Sequence, residues 1–341
     1  SVPGRRIEGP AARGSARHAR GPARPRGGTV SVLRSRRVLA VVLAAVALVA
    51  AGPRFRPASA QEPAAGTSGA LEAQFAVRLE DIARRVDGVV GYCVVDLTSG
   101  TRFTRLETEV FPTASTIKLA ILYELFAQAQ EGRLALDKPL TLDRAAAVGG
   151  SGILFEMGTP TLSLRDYAVL MVVLSDNTAT NVLIDAVGMA NVNRRMQGLG
   201  LTETRLRRKM IDLAAARRGD ENVSTPGEIA RLLEAYHKGT GLEPPTVAAA
   251  LAILKKGKDS WLVRAVPSSV PVASKPGDLE GVRVDAGIVY VPKRPFIITV
   301  MTSWLQRDED GERAIEDLSR AAYQYFSRLG AGSAYGRQID R

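Results

Sequence analysis

Strand-like stretches near both ends of the chain, with helical segments between them, predict an α+β domain whose sheet gathers the chain's two ends. GVVGYCVVDLTSG (88–100) is an apolar run closed by a Ser-Gly turn. SSVPVASKPG (268–277), GVRVDAGIVYV (281–291) and PFIITVMTSWL (295–305) are three further strand-like runs. The middle of the chain places its apolar residues at helical spacing instead.

The elements follow in order. QEPAAGTSG (61–69) reads as a linker. ALEAQFAVRLEDIARRVDG then sets Leu71, Phe75, Leu79 and Ile82 on one helical face. The strand at 88–100 has TRFTRLE (101–107) as its hairpin partner. Helices are predicted over 116–130, 164–174, 179–187 and 192–199, followed by a long irregular stretch, TETRLRRKMIDLAAARRGDENVS. Another helix begins at Thr225, where Pro226 suits the first helical position and Glu228 is spaced to complete a capping box. After the C-terminal strands a last amphipathic helix covers about 312–329, and 331–341 is expected to be a flexible tail. No internal repeat is visible. The expected domain spans 70–330, with a helical subdomain over about 115–240.

The formal charge of +11 does not belong to that domain. Residues 1–60 hold twelve of the 46 basic residues and one of the 35 acidic ones, Glu8, so the remaining 34 of each balance. A nucleic-acid partner is therefore not expected. The N-terminal segment reads instead as a targeting signal. Arg34, Arg36 and Arg37 precede an apolar run from Val38 to Ala51, too short for a comfortable membrane span, and Ala58-Ser59-Ala60 has the form of a signal-peptidase site. Cleavage after Ala60 and export are expected, with membrane contact only in transit. Residues 1–29, rich in Arg, Pro, Gly and Ala, are expected to be disordered. No methionine precedes Met157, so a translation start near Val30 or Val32 is expected.

Cys93 is the single cysteine and lies in the apolar strand, so no intrachain disulfide is possible and a small core residue is expected. His18 lies in the signal segment, and His237 near a predicted helix C-terminus, where an exposed polar role suffices. One histidine and one buried cysteine do not make a zinc site, and neither a metal nor a cofactor is expected. A serine-histidine-acid triad would have to rest on His237 alone.

Three motifs carry chemistry. In FPTASTIKLAILYEL, Ser115 stands three residues before Lys118 at the head of an apolar helical run, which puts both on one helix face. A neutral lysine there could take the serine's proton. S-x-x-K alone arises roughly once by chance in such a chain, and reads as readily as a helix cap beside a surface lysine. Ser175-Asp176-Asn177 breaks MVVLSDNTATNVLI between two helices, and these are ordinary capping residues. Lys275-Pro276-Gly277 ends a strand, and Pro-Gly is an ordinary turn pair.

Taken together, in this order and with intervals of sixty and a hundred residues, the three resemble the serine penicillin-recognising enzymes, and the class A β-lactamases most closely. The likeness runs from about Leu71 to Leu329, and SDNTATNVLI, TPGEIARLL and VRVDAGIVYV add to it. The resemblance implies an antiparallel sheet flanked by helices plus an all-helical subdomain. It implies that Ser115 forms an acyl-enzyme with Lys118 as base or proton relay, and that Ser175 and Lys275 deliver a proton to the leaving nitrogen. Lys275 would also attract a substrate carboxylate. Asn177 would bind the substrate's side-chain amide, and the N–H groups of Ser115 and Asp278, next to Gly277, would form the oxyanion hole. Arg283 stands where many members place a carboxylate-binding arginine; pairing with a neighbouring acid is the plainer account. A monomer acting on a β-lactam or a peptidoglycan peptide is implied.

Two positions depart from the family pattern. Class A enzymes carry an Ω-loop glutamate, in a phrase like R-x-E-P-x-L-N, that activates the deacylating water. The corresponding phrase here is Arg208-Lys209-Met210-Ile211-Asp212-Leu213-Ala214, with Met210 at the glutamate and Ala214 at the asparagine. A thioether cannot take a water proton. Asp212 is a possible substitute, and pairing with Arg205, Arg207 or Arg208 is its plainer role. Pro276 replaces a Thr or Ser, removing both a hydroxyl and an N–H. Three readings stay open: a class A-type hydrolase with slow turnover, a peptidoglycan D,D-peptidase, and a non-catalytic binding protein with a retained pocket.

Overall fold

The computed structural model describes residues 67–333 and 335–339, so the expected signal segment, its cleavage position and most of the linker lie outside the described residues. The first helix, α1 (Thr67–Arg84), begins inside the stretch read as a linker. It is followed by the hairpin β1 (Val89–Asp96) and β2 (Arg102–Arg105), in which Cys93 faces Thr104. After the short β3 (Phe111–Pro112) and a 3₁₀ turn (Ala114–Ile117) come α2 (Lys118–Gln130), β4 (Pro139–Thr141) and β5 (Thr161–Ser163). The helical middle continues with α3 (Leu164–Val173), α4 (Asn177–Val187) and α5 (Met189–Gly198). Then come α6 (Leu213–Arg217), β6 (Val223–Ser224), α7 (Pro226–Lys238), α8 (Pro244–Leu254) and α9 (Trp261–Arg264). Strands β7 (Val272–Leu279), β8 (Val282–Val289) and β9 (Phe296–Ser303) precede the long helix α10 (Asp308–Ala331).

The sheet is antiparallel in the order β2-β1-β9-β8-β7, with the chain's first and last strands side by side. Its two faces follow from the period of two along each strand. In β1, Val90, Tyr92 and Val94 meet α1 and α10, while Cys93 and Val95 meet the helical middle. The outer core is aromatic: Phe75 of α1 stacks on Tyr325 at 4.2 Å and Phe296 on Phe326 at 4.5 Å. Burying each such ring stabilises the layer by about 1.5–3 kcal/mol. On the other face α2 is buried almost all round, from Lys118 to Gln128, which makes it the axis of the helical part. Cys93 is buried and its thiol is pushed up to about 11 by that burial, so it is an inert core residue.

The structure differs from the sequence reading in several places. Helix α8 (PPTVAAALAIL) fills a stretch assigned no element. Thr225 caps α7 through Glu228 N and Pro226 takes the first position, but the Glu228 carboxylate does not close the box. It is buried, and accepts instead from Glu203 N, Thr204 N and Thr204 Oγ1, fastening the irregular stretch to α7. The terminal helix runs to Ala331, and beyond it Gly332 bridges Gln338, so the described part of the expected tail folds back on itself. Among the described residues no helix is long and apolar enough to cross a membrane.

Candidate active site

The helix predicted from residue 116 starts instead as the 3₁₀ turn Ala114–Ile117, which lifts Ser115 out of the regular helix. Ala114 has φ 45°, a left-handed conformation costly for a residue with a Cβ, and the turn is held by its neighbours. Thr113 N donates to Asn222 O at 2.9 Å, and Thr116 Oγ1 donates to Lys275 O at 3.2 Å, tying the turn to edge strand β7. The approach is close. A Cβ on Gly277 would lie 2.7 Å from Ser115 N, 2.8 Å from Thr116 N and 2.9 Å from Thr113 O, all backbone atoms, so only glycine fits.

The second motif arrives from the α3–α4 junction. Ser175 also has a left-handed backbone, φ 53°. Asp176, buried, holds the junction: one oxygen accepts from Ala179 N at the head of α4, the other from Ile153 N (2.7 Å) and Leu154 N (2.9 Å). Asn177 donates through Nδ2 to Gly149 O at 3.2 Å.

These supports bring the three motifs together. Lys118 Nζ donates to Ser115 Oγ (3.0 Å), Ser175 Oγ (3.0 Å), Ser175 O (2.7 Å) and Asn177 Oδ1 (3.2 Å). Lys275 Nζ donates to the same Ser175 Oγ at 3.1 Å and to Pro276 O at 2.7 Å. Ser175 Oγ is thus shared by two buried amines, and through Lys118 the chain of contacts reaches Ser115. Burial, and secondarily the charge of Lys275, hold the Lys118 amine well below the usual lysine range, against the opposing pull of Asp176 and Asp278. Burial brings Lys275 down to about 7, opposed chiefly by Asp285. Lys275 is therefore able to exist neutral and to move protons near neutral pH, and burial favours the neutral form of Lys118 in the same direction.

Two cavities flank the cluster and share Asp278. One, of about 160 Å³, is lined by Ser115, Asn177, Arg208, Met210, Ile211 and Glu221 among others. The other, of about 590 Å³, is lined by Ser175, Lys258, Trp261, Lys275 and Pro276 among others.

The chain matches the model of the Beta-lactamase2 family, the beta-lactamase enzyme family, over residues 74–326. It belongs to the beta-lactamase enzyme family. An imipenem-hydrolyzing beta-lactamase of Enterobacter cloacae is 28% identical over 254 residues, covering 72% of this chain and 87% of that protein. The crystal structure of a beta-lactamase from Sphaerobacter thermophilus superposes with a TM-score of 0.68 at 32% identity, covering 74% of this chain and 96% of that one. A leucine-to-glutamate variant of PBP-A, solved as an acyl-enzyme with penicillin G, superposes with a TM-score of 0.68 at 29% identity over 76% of this chain and 97% of that one. The α+β architecture is the beta-lactamase/transpeptidase fold.

Within this beta-lactamase family framework the expected site residues divide. Ser115, Lys118, Ser175, Asn177, Lys275, Gly277 and Asp278 converge. Arg283 does not join them. Its guanidinium pairs with Asp308 (2.9 Å) and Glu312 (3.0 Å) and donates to the carbonyls of Leu279 and Val282, and it lines neither cavity. Asp212 is also placed elsewhere: exposed, it caps α6 by accepting from Ala215 N at 2.9 Å, and it lines neither cavity. Met210 is 7% exposed and stands in the Ser115 cleft, its backbone gripped at both ends by Asn181, which accepts from Met210 N (2.8 Å) and donates to Met210 O (3.1 Å). Two residues passed over in sequence enter the cavity walls. Glu221 lines the Ser115 cleft but is paired with Arg208 at 2.8 Å, and Lys258 lines the larger cavity. Neither carries a motif, so no sequence signal pointed to them.

Proposed function

We propose that the chain is an exported class A-like serine hydrolase that β-lactams acylate at Ser115 and that releases the acyl group slowly. The observation that carries this is the Lys118 amine, fully buried and 3.0 Å from both Ser115 Oγ and Ser175 Oγ. Neutral Lys118 takes the Ser115 proton, Oγ bonds to the lactam carbonyl carbon, and the N–H groups of Ser115 and Asp278 stabilise the oxyanion. As the carbonyl–nitrogen bond breaks, Ser175 protonates the leaving nitrogen and is resupplied from Lys118 or Lys275, the two amines bonded to its oxygen. Asn177 binds the acyl side-chain amide.

Release is the weak step. A positioned general base contributes about 10²–10⁴-fold, and Met210 supplies none. The PBP-A variant captured with penicillin G supports the acylation half of this reading; the imipenem-hydrolyzing relative shows what a member of the family achieves in full. Met210 also favours a second reading, a peptidoglycan D,D-peptidase, in which the acyl group is a less confined peptidyl ester. The apolar run 38–51 and Ala58-Ser59-Ala60 support export.

Incubation with penicillin G, followed by intact mass, tests the proposal. An adduct persisting for hours, absent in Ser115→Ala, is expected. Absence of any adduct refutes the hydrolase, and an adduct lost within seconds refutes slow release.

A further inference from the structure

We propose that the groove between α7 and α8 binds a free long-chain carboxylate, its tail laid along α8 and its head between His237 and Lys255. The inference is independent of the chemistry at Ser115. It starts from a helix that is apolar on two faces. In α8, PPTVAAALAIL, one stripe (Ala250, Ile253 and Leu254) is buried in the helical core. A helix apolar all round is ordinarily buried all round. Here a second stripe, Pro244, Val247, Ala248, Leu251 and Ala252, recurs at steps of three and four and lines a cavity of about 670 Å³. Pro244, Ala248 and Ala252 are exposed in it.

The opposite wall is the end of α7, His237, Lys238 and Gly239. Gly239 takes a left-handed φ of 68° and turns the chain toward α8; a Cβ there would stand 3.1 Å from Leu242 O and 3.3 Å from Val247 Cγ2, so this end of the groove is closely shut. Three cationic side chains, His237, Lys238 and Lys255, thus border an apolar floor. Lys238 is paired with Glu234 at 3.3 Å, and Glu234 also with Arg102. Lys255 lies over the Tyr290 ring at 4.0 Å and, among the described residues, pairs with no carboxylate. Glu243 precedes Pro244, at the other end of α8 from Lys255, and does not line the cavity. Burial, then the charge of Lys238, and also that of Lys255 hold the His237 imidazole below the usual histidine value against the pull of Glu234. An anion between His237 and Lys255 relieves that repulsion.

These features select the occupant. An apolar lining with a few charged groups at its edge, at this volume, is the make-up of a small-molecule site. Pro244 and Lys255 are eleven residues apart on α8, about 16 Å along the helix, which about a dozen methylenes in zigzag cover. The stripe offers no polar side chain over that length. The N–H and C=O groups of a bound peptide would go unmet there, whereas a hydrocarbon tail has none to satisfy.

The test is calorimetric titration with octanoate, decanoate and dodecanoate, kept below micelle formation. One-to-one binding is expected, tightening about two- to fourfold per added methylene. Lys255→Glu should weaken it about 3- to 10-fold, as befits an exposed charge. Ala248→Trp, at an exposed position, should fill the groove and abolish binding while the melting temperature by circular dichroism stays put. The His237 imidazole resonance, identified by its loss in His237→Gln, should titrate at higher pH when dodecanoate is bound. Four results overturn the proposal. They are absence of saturable binding; equal binding of dodecanol and dodecanoate; binding to phosphatidylglycerol vesicles without binding to the monomeric carboxylates; and sedimentation showing a dimer that Ala248→Trp dissociates, which would make a second copy the occupant.

Discussion

Replacing Met210 by glutamate should convert slow release into turnover. The two side chains are equally long, so a carboxylate oxygen at 210 reaches about as far as the methionine methyl does, into the cleft lined by Ser115. The backbone there is already held by the two Asn181 hydrogen bonds, so the substitution does not depend on refolding the loop. A general base lowers the deacylation barrier by about 2.7–5.4 kcal/mol, a gain of about 10²–10⁴. One neighbour works against it. Arg208 lines the same cleft, and its Nε is buried without a partner. A hydrogen bond from Nε to the new carboxylate would be worth about 1.5–3 kcal/mol and would hold it off the water. The lower end is therefore expected, about a 100-fold shorter acyl-enzyme lifetime. Penicillin G is mixed in excess, quenched by dilution into a β-lactam scavenger, and the acylated fraction followed by intact mass. A lifetime equal to wild type, with acylation of Ser115 unimpaired, would show that residue 210 does not face the acyl carbonyl.

Gly277→Ala should reduce acylation by about 100-fold or more while the chain stays folded by circular dichroism, because its Cβ pushes on Ser115 N and Thr116 N and shifts the nucleophile. Lys275 is lowered to about 7 in the folded chain, so the unfolded chain binds the extra proton between about pH 7 and the usual lysine value of 10.5. Wild-type stability relative to Lys275→Met should then rise with pH across that window by about 1.4 kcal/mol per unit and be flat below it; denaturant titrations at several pH values that show the opposite slope refute the assignment. Glu228→Ala leaves Glu203 N, Thr204 N and Thr204 Oγ1 without their carboxylate and should cost about 3 kcal/mol, read as a lower urea midpoint at unchanged slope.

What was legible in the sequence was whatever local pattern decides. Apolar runs bounded by turn residues located β1 and β7 to β9, and helical spacing located α1, α3 and α10. Helix α8 escaped because PPTVAAALAIL is apolar all round and has no period to read. At the site, Ser115, Lys118, Ser175 and Lys275 were found through spacing. Their protonation was not, since it arises from burial by segments far away in the chain. Arg283 and Asp212 stand outside both cavities for a related reason, and for Arg283 the plainer account, pairing with acids, is the one its contacts show. The acids that take up Arg283 lie on α10, and Asp212 became a helix cap because a short helix, α6, forms inside a stretch that looked irregular. Glu228 matched a capping box in spacing, yet two backbone N–H groups, of Glu203 and Thr204, and the Thr204 hydroxyl offered its carboxylate three donors instead of one.

The pairing of β1 with β9 gives the molecule a completion signal. Val89 sits opposite Ser303, and β7, which carries Lys275, reaches β1 only through β8 and β9. A chain interrupted before β9 has Ser115, Lys118, Ser175 and Lys275 in its covalent structure but lacks the strand that joins the two halves of the sheet. Such non-local pairing forms late and slowly. If Ser115 is acylated as proposed, covalent labelling by a fluorescent penicillin would count finished molecules only, and the label would double as a clock for the folding of the whole domain.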